Sequence, residues 1–278
     1  ARSGPVTVPT EYQQLTDLSN SATAPVLSPD GRMLAFLGGG DMFLDTGQVY
    51  VKLLPDGEPT RLADMPGEVY GPAFSFDGTR IAFTSLTVAR GMPDWNTWTV
   101  PTTGGQPSLF LGNAAGLTWI GPQQLLYSEI KSGIHLGVVT SAEDRADHRD
   151  VYLPAHERGM AHYSWLSPDR RSVLIVEMGG TGDWQPCRRV PFDGSSTGEQ
   201  VGPTGRCTAA AWSPDGRWMY FSAEVGGHSH LWRQRYPHGE PEQITFGPTE
   251  QEGVAVAPDG RSLVTWLEPP KSSISIHD

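Results

Sequence analysis

The chain has 278 residues, including 33 glycines, 24 prolines and nine tryptophans, and its formal net charge is −11. This charge argues against a nucleic-acid partner, because binding to phosphates needs a basic stripe and none is present. No run of about 18 apolar residues occurs, so we expect no membrane insertion, and the many glycines and prolines favour short strands over long helices.

The N-terminal part of the chain differs from the rest of the sequence. Residues 1–10 contain Pro5 and Pro9 without periodicity, which predicts a tail or linker. Residues 11–17 then alternate polar and apolar side chains, which predicts a short strand. The first residues resemble neither a signal peptide nor an initiator methionine, so we expect a processed protein or part of a larger one. We expect residues 11–278 to form a single domain.

The segment Ala211–Ser222 shows the repeating unit of the chain most clearly. It contains a strand, an Asp-Gly turn and a second strand, which is a strong hairpin signal. The aspartates of such turns are separated by 47, 92, 46 and 44 residues, and they are Asp30, Asp77, Asp169, Asp215 and Asp259. A degenerate copy at 117–127 fills the long gap. The sequence therefore contains six units, which indicates a repeat architecture.

Each unit continues with a third and a fourth strand. In the first unit we expect strands at 23–28, 32–37, 48–53 and 59–62, and in the second unit we expect the third strand at 97–100. Four antiparallel strands in a unit of about 46 residues are typical of a propeller blade. The sequence therefore predicts an all-β, six-bladed β-propeller. The sixth unit ends with its third strand, 273–276, so we expect the N-terminal strand at 11–17 to pair there and close the ring.

The aspartates of the repeated turns are best explained structurally. Asp accepts hydrogen bonds from backbone N–H groups in tight turns, and Gly adopts the positive φ. A ring of catalytic carboxylates is the weaker alternative. We expect the large residues beside the turns, Phe36, Phe83, Trp212 and Phe221, to form the core between blades.

The Ser-Pro-Asp-Gly turn followed by an apolar strand, as at 28–36 and 213–221, resembles the WD40-like PD40 repeat of TolB-type propellers. The resemblance covers about 11–278. It implies protein binding, since TolB recognises a lipoprotein partner across one propeller face. The segment 230–250 is similar to the C-terminal sensor propellers of bacterial membrane-anchored Ser/Thr protein kinases. No kinase motif is present, so this resemblance implies the sensor part alone.

Two short motifs invite a chemical interpretation. Residues 194–198 match Gly-x-Ser-x-Gly, but they lie in a predicted hairpin turn instead of the strand-to-helix turn that a nucleophile elbow needs. His228 and His230 can share one face of a strand, as metal ligands require, but no third ligand lies near them in sequence. We therefore expect no catalytic residue and no cofactor, and we leave a metal open.

The candidate binding surface follows from the propeller topology. Connections between second and third strands, and between blades, emerge on one face, which we call the loop-rich face. Phe43 and Tyr163 emerge there, and mixed charge with aromatic residues suits recognition of a partner. A solvated face without a partner is the alternative. The candidate residues are Glu68, Tyr70, Arg90, Asp94, Trp95, Glu129, His162, Glu177, Trp184, Arg206, Glu224, His228 and Glu252.

Three classes of function remain open. We favour a non-catalytic, monomeric binding or sensor domain that takes a protein, a peptide or a small polar ligand at the channel mouth. A propeller enzyme, such as a polysaccharide lyase or hydrolase, would need convergent ionisable groups with perturbed pKa values. A structural assembly scaffold would instead expose an apolar patch.

The two cysteines, Cys187 and Cys207, bear on the location of the protein. Cys187 opens the third strand of the fourth unit, and Cys207 precedes the first strand of the fifth. Both positions lie at the loop-rich end of adjacent blades, so a disulfide is within geometric reach. The bond would favour an extracytoplasmic location, whereas free, buried thiols would be the usual state in the cytosol.

Overall fold

The computed structural model describes residues 12–18, 21–40, 43–63, 67–89 and 92–268. These residues contain 22 β-strands and no helix. The described part of the chain accordingly has no helix that could cross a membrane. The expected tail at 1–10 lies outside the described residues.

The strands follow one another in units of four. Unit 1 contains β1 (Ala22–Leu27), β2 (Met33–Gly38), β3 (Gln48–Leu53) and β4 (Thr60–Ala63). Unit 2 contains β5 (Glu68–Phe74), β6 (Arg80–Ala89), β7 (Met92–Pro101) and β8 (Ser108–Gly112). Unit 3 contains β9 (Ala115–Trp119), β10 (Gln124–Ser132), β11 (His135–Ala142) and β12 (Arg149–Tyr152).

The second half of the chain repeats this order. Unit 4 contains β13 (Met160–Leu166), β14 (Ser172–Met178), β15 (Arg188–Pro191) and β16 (Glu199–Gln200). Unit 5 contains β17 (Arg206–Trp212), β18 (Trp218–Val225), β19 (His228–Arg235) and β20 (Glu242–Gln243). Unit 6 is described as far as β21 (Glu250–Val256) and β22 (Leu263–Glu268).

Neighbouring strands within each unit pair antiparallel. One parallel pair, Leu136 with Met160, joins units 3 and 4 into an eight-stranded sheet. The first strands of successive units contact one another from β1 to β21, and β21 also contacts β1. We call the space between these first strands the channel.

The order and type of the described strands were predicted correctly, whereas two details differ. The β6–β7 hairpin is longer than expected, because β7 begins at Met92 where the sequence predicted a strand from Thr97. Residues 12–18 are not in a strand, and the Leu18 side chain lies beside Gly38 of β2. The expected partner at 273–276 lies outside the described residues, so closure by the N-terminal segment stays a prediction.

The Ser-Pro-Asp-Gly turn explains why each unit starts with a tight hairpin. Ser28 Oγ donates to Asp30 Oδ1 at 2.6 Å, and the Arg32 N–H donates to the same oxygen at 3.1 Å. Gly31 supplies the positive φ of 71°. In unit 4 the turn survives with Arg170 at φ 59° in the glycine position. The structural interpretation of these aspartates is confirmed.

The repeated turns of neighbouring units also pack on one another. A Cβ at Gly78 would lie 3.6 Å from Pro29, and one at Gly260 would lie 3.7 Å from Pro214. The same contact occurs between unit 1 and unit 6, because a Cβ at Gly31 would lie 3.2 Å from Pro258. These turns form the face opposite the loop-rich face, which we call the turn face.

The core lies between neighbouring units. Leu37 and Val51 of unit 1 pack with Phe83 of unit 2, and Leu174 of unit 4 packs with Phe221 of unit 5. The four residues that were expected in the core are all buried: Phe36, Phe83, Trp212 and Phe221. This packing fixes each unit against the next and so positions the loops of the loop-rich face.

Candidate functional site

Each first strand is irregular where it lines the channel. The pairing register shifts in β1, β5, β9, β13, β17 and β21. At the shifts, Ala24, Gly71, Gly116 and Gly253 adopt φ between 51° and 67°. Glycine and alanine suit these positions because larger side chains meet steric conflict at positive φ. The bulges leave backbone and small side chains around the channel.

Unit 4 departs from this pattern, because β13 places two large aromatic side chains in the channel. Tyr163 and Trp165 stack with their ring centroids 5.8 Å apart. A Cβ at Gly71, in the wall opposite, would lie 3.1 Å from Tyr163 Cε1, so that glycine makes room for the tyrosine ring. A cavity of about 80 Å³ lies beside these two rings and is lined by residues of all six first strands.

An aromatic cluster occupies the loop-rich end of the channel. His162 lies at its centre, with ring centroids 4.6 Å from Phe43, 5.6 Å from Trp184 and 5.8 Å from Trp95. These side chains come from the β2–β3 connection, the β14–β15 connection and strands of units 2 and 4. We call this set the mouth cluster, and its members are Phe43, Tyr70, Trp95, His162, Tyr163 and Trp184.

Two members of the mouth cluster, Tyr70 and His162, have polar side-chain atoms without hydrogen-bond partners. His162 is 1% exposed, and neither ring nitrogen has a hydrogen-bond partner. Burial lowers the pKa of His162 to about 3, since the charged imidazolium cannot be solvated there. Burial likewise raises the pKa of Tyr70 well above its usual value, although the nearby Thr84 hydroxyl opposes the rise. The Tyr70 hydroxyl makes no hydrogen bond of normal geometry.

Unpaired buried polar atoms are concentrated near this cluster. Among the described residues they are Tyr70 Oη, Ser128 Oγ, both His162 nitrogens, Ser164 Oγ and Trp232 Nε1. All but the Trp232 atom lie on β5, β10 and β13.

Two predicted carboxylates are buried in ionic networks. Glu129 lies 2.6 Å from Lys131, 3.1 Å from His148 and 3.4 Å from Arg145. Burial alone would lower the pKa of Lys131, but the carboxylates of Asp150 and Glu129 outweigh it and raise that pKa. The Glu129 side chain is therefore already neutralised by its neighbours.

Glu177 has a similar environment in unit 4. It accepts a hydrogen bond from the Tyr152 hydroxyl at 2.6 Å, and Arg188 Nε lies 2.8 Å away. Burial, followed by the Glu177 charge, raises the pKa of Tyr152 above its usual range. This network joins β12, β14 and β15 and has the character of a structural ion pair.

Other predicted residues remain accessible on the loop-rich face. Arg206 lies 3.5 Å from Glu224, and Ser229 Oγ donates to Glu252 at 3.1 Å. His228 Nδ1 lies 3.2 Å from Glu250 Oε1. Asp94 is exposed and accepts from Asn96 at 3.0 Å, Glu68 is half-buried, and Arg90 lies outside the described residues.

The structure thus divides the predicted site residues into two groups. Tyr70, Trp95 and His162 are brought together, but they are buried beneath the half-buried Phe43 and Trp184. The charged residues are spread around the face. Ligand binding by any of them stays a prediction. Tyr163 and Trp165 could have been recognised in the sequence, because they stand where the other units carry smaller residues.

Cys187 and Cys207 are joined by a disulfide with a Cα–Cα distance of 5.3 Å. The Cys207 N–H also donates to the Gln185 carbonyl at 3.0 Å. The bond links β17 to the segment that carries Trp184. It therefore holds one aromatic member of the mouth cluster in place.

Metal binding has little support in the described residues. No group of three or more His, Cys, Asp or Glu side chains is arranged there to hold an ion. His230 Nδ1 instead lies 2.8 Å from Gln251 Oε1, and the His228 and His230 rings are 6.4 Å apart.

Exposed apolar side chains are distributed unevenly over the two faces. Nine large ones are exposed among the described residues. Five lie on the loop-rich face, at strand ends or on connections, and they are Val88, Leu153, Val225, Phe246 and Leu267. Leu53 and Phe76 lie on the turn face, Leu109 lies on β8, and Tyr12 lies in the N-terminal segment. Among the described residues, more of these side chains therefore lie on the loop-rich face than on the turn face.

Solved structures share the fold of this chain. A provisionally assigned TolB from Agrobacterium tumefaciens is 21% identical with a TM-score of 0.68, covering 92% of this chain and 93% of that one. TolB from Acinetobacter baumannii is 14% identical with a TM-score of 0.57, covering 92% and 65%. An oligogalacturonate lyase in complex with manganese is 14% identical with a TM-score of 0.58, covering 91% and 78%.

These similarities define the fold alone. No family model matches the chain, and no curated protein matches it in sequence. The chain has an all-β fold like that of TolB-like β-propellers.

Proposed function

We propose that this chain is a non-catalytic binding domain that recognises a protein or peptide through its loop-rich face. One observation carries the proposal: five of the nine large apolar side chains exposed among the described residues emerge on that face. Exposed apolar groups within a polar, charged rim are typical of protein-binding surfaces. The half-buried Phe43 and Trp184 add aromatic surface at the channel mouth.

The proposed function depends on a rigid platform, and we propose that this is a closed ring of six blades. Two contacts support closure independently of the N-terminal segment. Strand β21 contacts β1, and Gly31 of unit 1 approaches Pro258 of unit 6. A closed ring leaves no exposed sheet edge between the first and last units.

We further propose an extracytoplasmic location and a sensor role. The Cys187–Cys207 disulfide supports an oxidising compartment, because such bonds are rare in the cytosol. The similarity of 230–250 to the sensor propellers of membrane-anchored Ser/Thr kinases motivates the sensor role. Under this proposal the propeller is the ligand-recognising part of a larger signalling protein.

An enzyme is the second candidate, and the site favours it less. A catalyst needs ionisable groups that reach a substrate. Among the described residues at the channel mouth, the His162 imidazole is covered by aromatic rings. Glu129 and Glu177 are held in ion pairs. The residues found there suit packing and recognition better than proton transfer.

Site-specific photo-cross-linking tests the assignment of the binding face. A photoreactive amino acid is placed at Val88 or Leu153 on the loop-rich face, or at Leu53 or Phe76 on the turn face. All four side chains are exposed, so the substitutions should leave folding intact. In the producing cells, we expect cross-linked partners from the loop-rich positions. Cross-links from the turn-face positions alone would contradict the proposal.

A further inference from the structure

Units 5 and 6 carry the most exposed aromatic side chain in the described part of the loop-rich face. Phe246, on the β20–β21 connection, is 70% exposed. Val225, at the tip of the β18–β19 hairpin, is 37% exposed, and Leu267, near the end of β22, is 43% exposed. We call these three residues the unit 5–6 patch.

Hydrogen bonds and strand pairing hold Phe246 and Leu267 on a common frame. Thr245, which precedes Phe246, donates from Oγ1 to Gln251 Oε1 at 2.8 Å. Gln251 is the register partner of Leu267 across β21 and β22. The two apolar side chains therefore project from segments that are fixed to each other.

Val225 is connected to the same frame through the hairpin. It is the register partner of His228, whose Nδ1 lies 3.2 Å from Glu250 Oε1. The Ser229 N–H donates to Glu250 Oε2 at 2.5 Å. These contacts tie the β18–β19 hairpin of unit 5 to the first strand of unit 6.

The border of the patch is acidic. Glu224 lies on β18 next to Val225, and Glu250 and Glu252 lie on β21, which pairs with the β22 strand of Leu267. The basic side chains described beside them are Arg206, 3.5 Å from Glu224, and His228. Three carboxylates therefore lie beside one arginine and one histidine. The whole chain has the same sign of charge, −11.

We propose that the unit 5–6 patch binds a polypeptide segment that presents an apolar side chain flanked by lysine or arginine. Phe246 provides the central apolar contact, since aromatic residues dominate binding energy at such sites. The bordering carboxylates, two of which already contact Arg206 and His228, add an electrostatic attraction for the flanking cations. The inference rests on the proposed binding function and assigns it a position and a partner chemistry.

Selection of a displayed random peptide library on the full chain tests this inference. The enriched peptides should contain an aliphatic or aromatic residue next to Lys or Arg. A synthetic peptide from the selection should bind Phe246→Ser at least about tenfold more weakly than wild type. Phe76→Ser removes the same side chain from the turn face, where Phe76 is 52% exposed, and should leave the affinity unchanged.

A matched pair of charge variants tests the acidic border. Glu250→Gln with Glu252→Gln should weaken binding about tenfold and reduce its salt dependence. Glu58→Gln with Glu240→Gln removes the same charge from exposed positions of the turn face and should have no effect. Thermal melting of each variant verifies that the fold is retained.

The outcomes separate this inference from the proposed function. Enriched peptides without basic residues, or no specific peptide at all, would overturn the partner chemistry. Binding that survives Phe246→Ser but is lost in Val88→Ser or Leu153→Ser would overturn the patch and leave the loop-rich face as the binding face. Binding that is lost in Phe76→Ser would overturn both.

Discussion

The buried imidazole of His162 should make the stability of this protein depend on pH in a definite direction. Its pKa in the folded chain is about 3, because burial opposes the charged form. In the unfolded chain it is about 6.5. Between these values the unfolded state binds more protons than the folded state. The free energy of unfolding should therefore fall as the pH falls below about 6.5.

The size of the effect follows from the two pKa values. Within this window each pH unit changes the free energy of unfolding by about 1.4 kcal/mol. Acidification from about pH 7.5 to about pH 5 should therefore remove about 2 kcal/mol through His162 alone. The stability linked to the neutral His162 imidazole is fully present above the unfolded pKa of about 6.5, and it is lost as the pH falls towards the folded pKa of about 3.

His162→Phe tests this reasoning, because it keeps a ring in the mouth cluster and removes both unpaired nitrogens. Urea unfolding followed by tryptophan fluorescence gives the free energy of unfolding at each pH. We expect the variant to lose about 2 kcal/mol less than wild type over the same acidification. His238→Phe, at an exposed position of the turn face, is the control and should behave like wild type. An equal loss in wild type and His162→Phe would refute the argument.

Three further predictions concern stability, measured by urea unfolding. Replacing both Cys187 and Cys207 by alanine should lower the free energy of unfolding by about 3 kcal/mol, because the disulfide closes a loop between residues 20 positions apart. An unchanged free energy of unfolding would show that the disulfide hardly restrains the unfolded chain. Gly71→Ala should lower the free energy of unfolding more than Gly226→Ala. Both glycines have positive φ, but only a Cβ at Gly71 would lie within 4 Å of Tyr163, so equal losses of stability would contradict that contact. Glu177→Gln should cost about 2 kcal/mol by leaving Arg188 without its carboxylate, and an unaffected variant would argue against this ion pair.

The fold could be predicted from sequence because its main determinants are local. Ser28, Asp30 and Gly31 build a complete turn from neighbouring residues, and five of the six units repeat that chemistry with small changes. The strands on either side then follow from the alternation of apolar residues. Even Arg170, in place of a glycine, leaves the turn intact, since flanking hydrogen bonds such as Ser167 to Asp169 hold it.

The site could be predicted less well because it depends on contacts between distant units. Trp95 and His162 were recognised as residues of the loop-rich face, but whether their side chains reach solvent depends on what lies opposite. Phe43 of unit 1 and Trp184 of unit 4 cover the imidazole. No local sequence pattern specifies the contact of Phe43 and Trp184 with the imidazole. The burial of the candidate aromatic residues therefore had to be observed.

Unit 4 departs from the repeat in its first strand, β13, and this departure produces the aromatic side chains at the channel. Tyr163 and Trp165 line the channel at positions where the other first strands carry smaller residues, and Gly71 accommodates the tyrosine ring. The same strand carries His162 and Ser164, whose polar atoms lack partners. More of the exposed apolar side chains described lie on the loop-rich face than on the turn face, which agrees with the proposed recognition there.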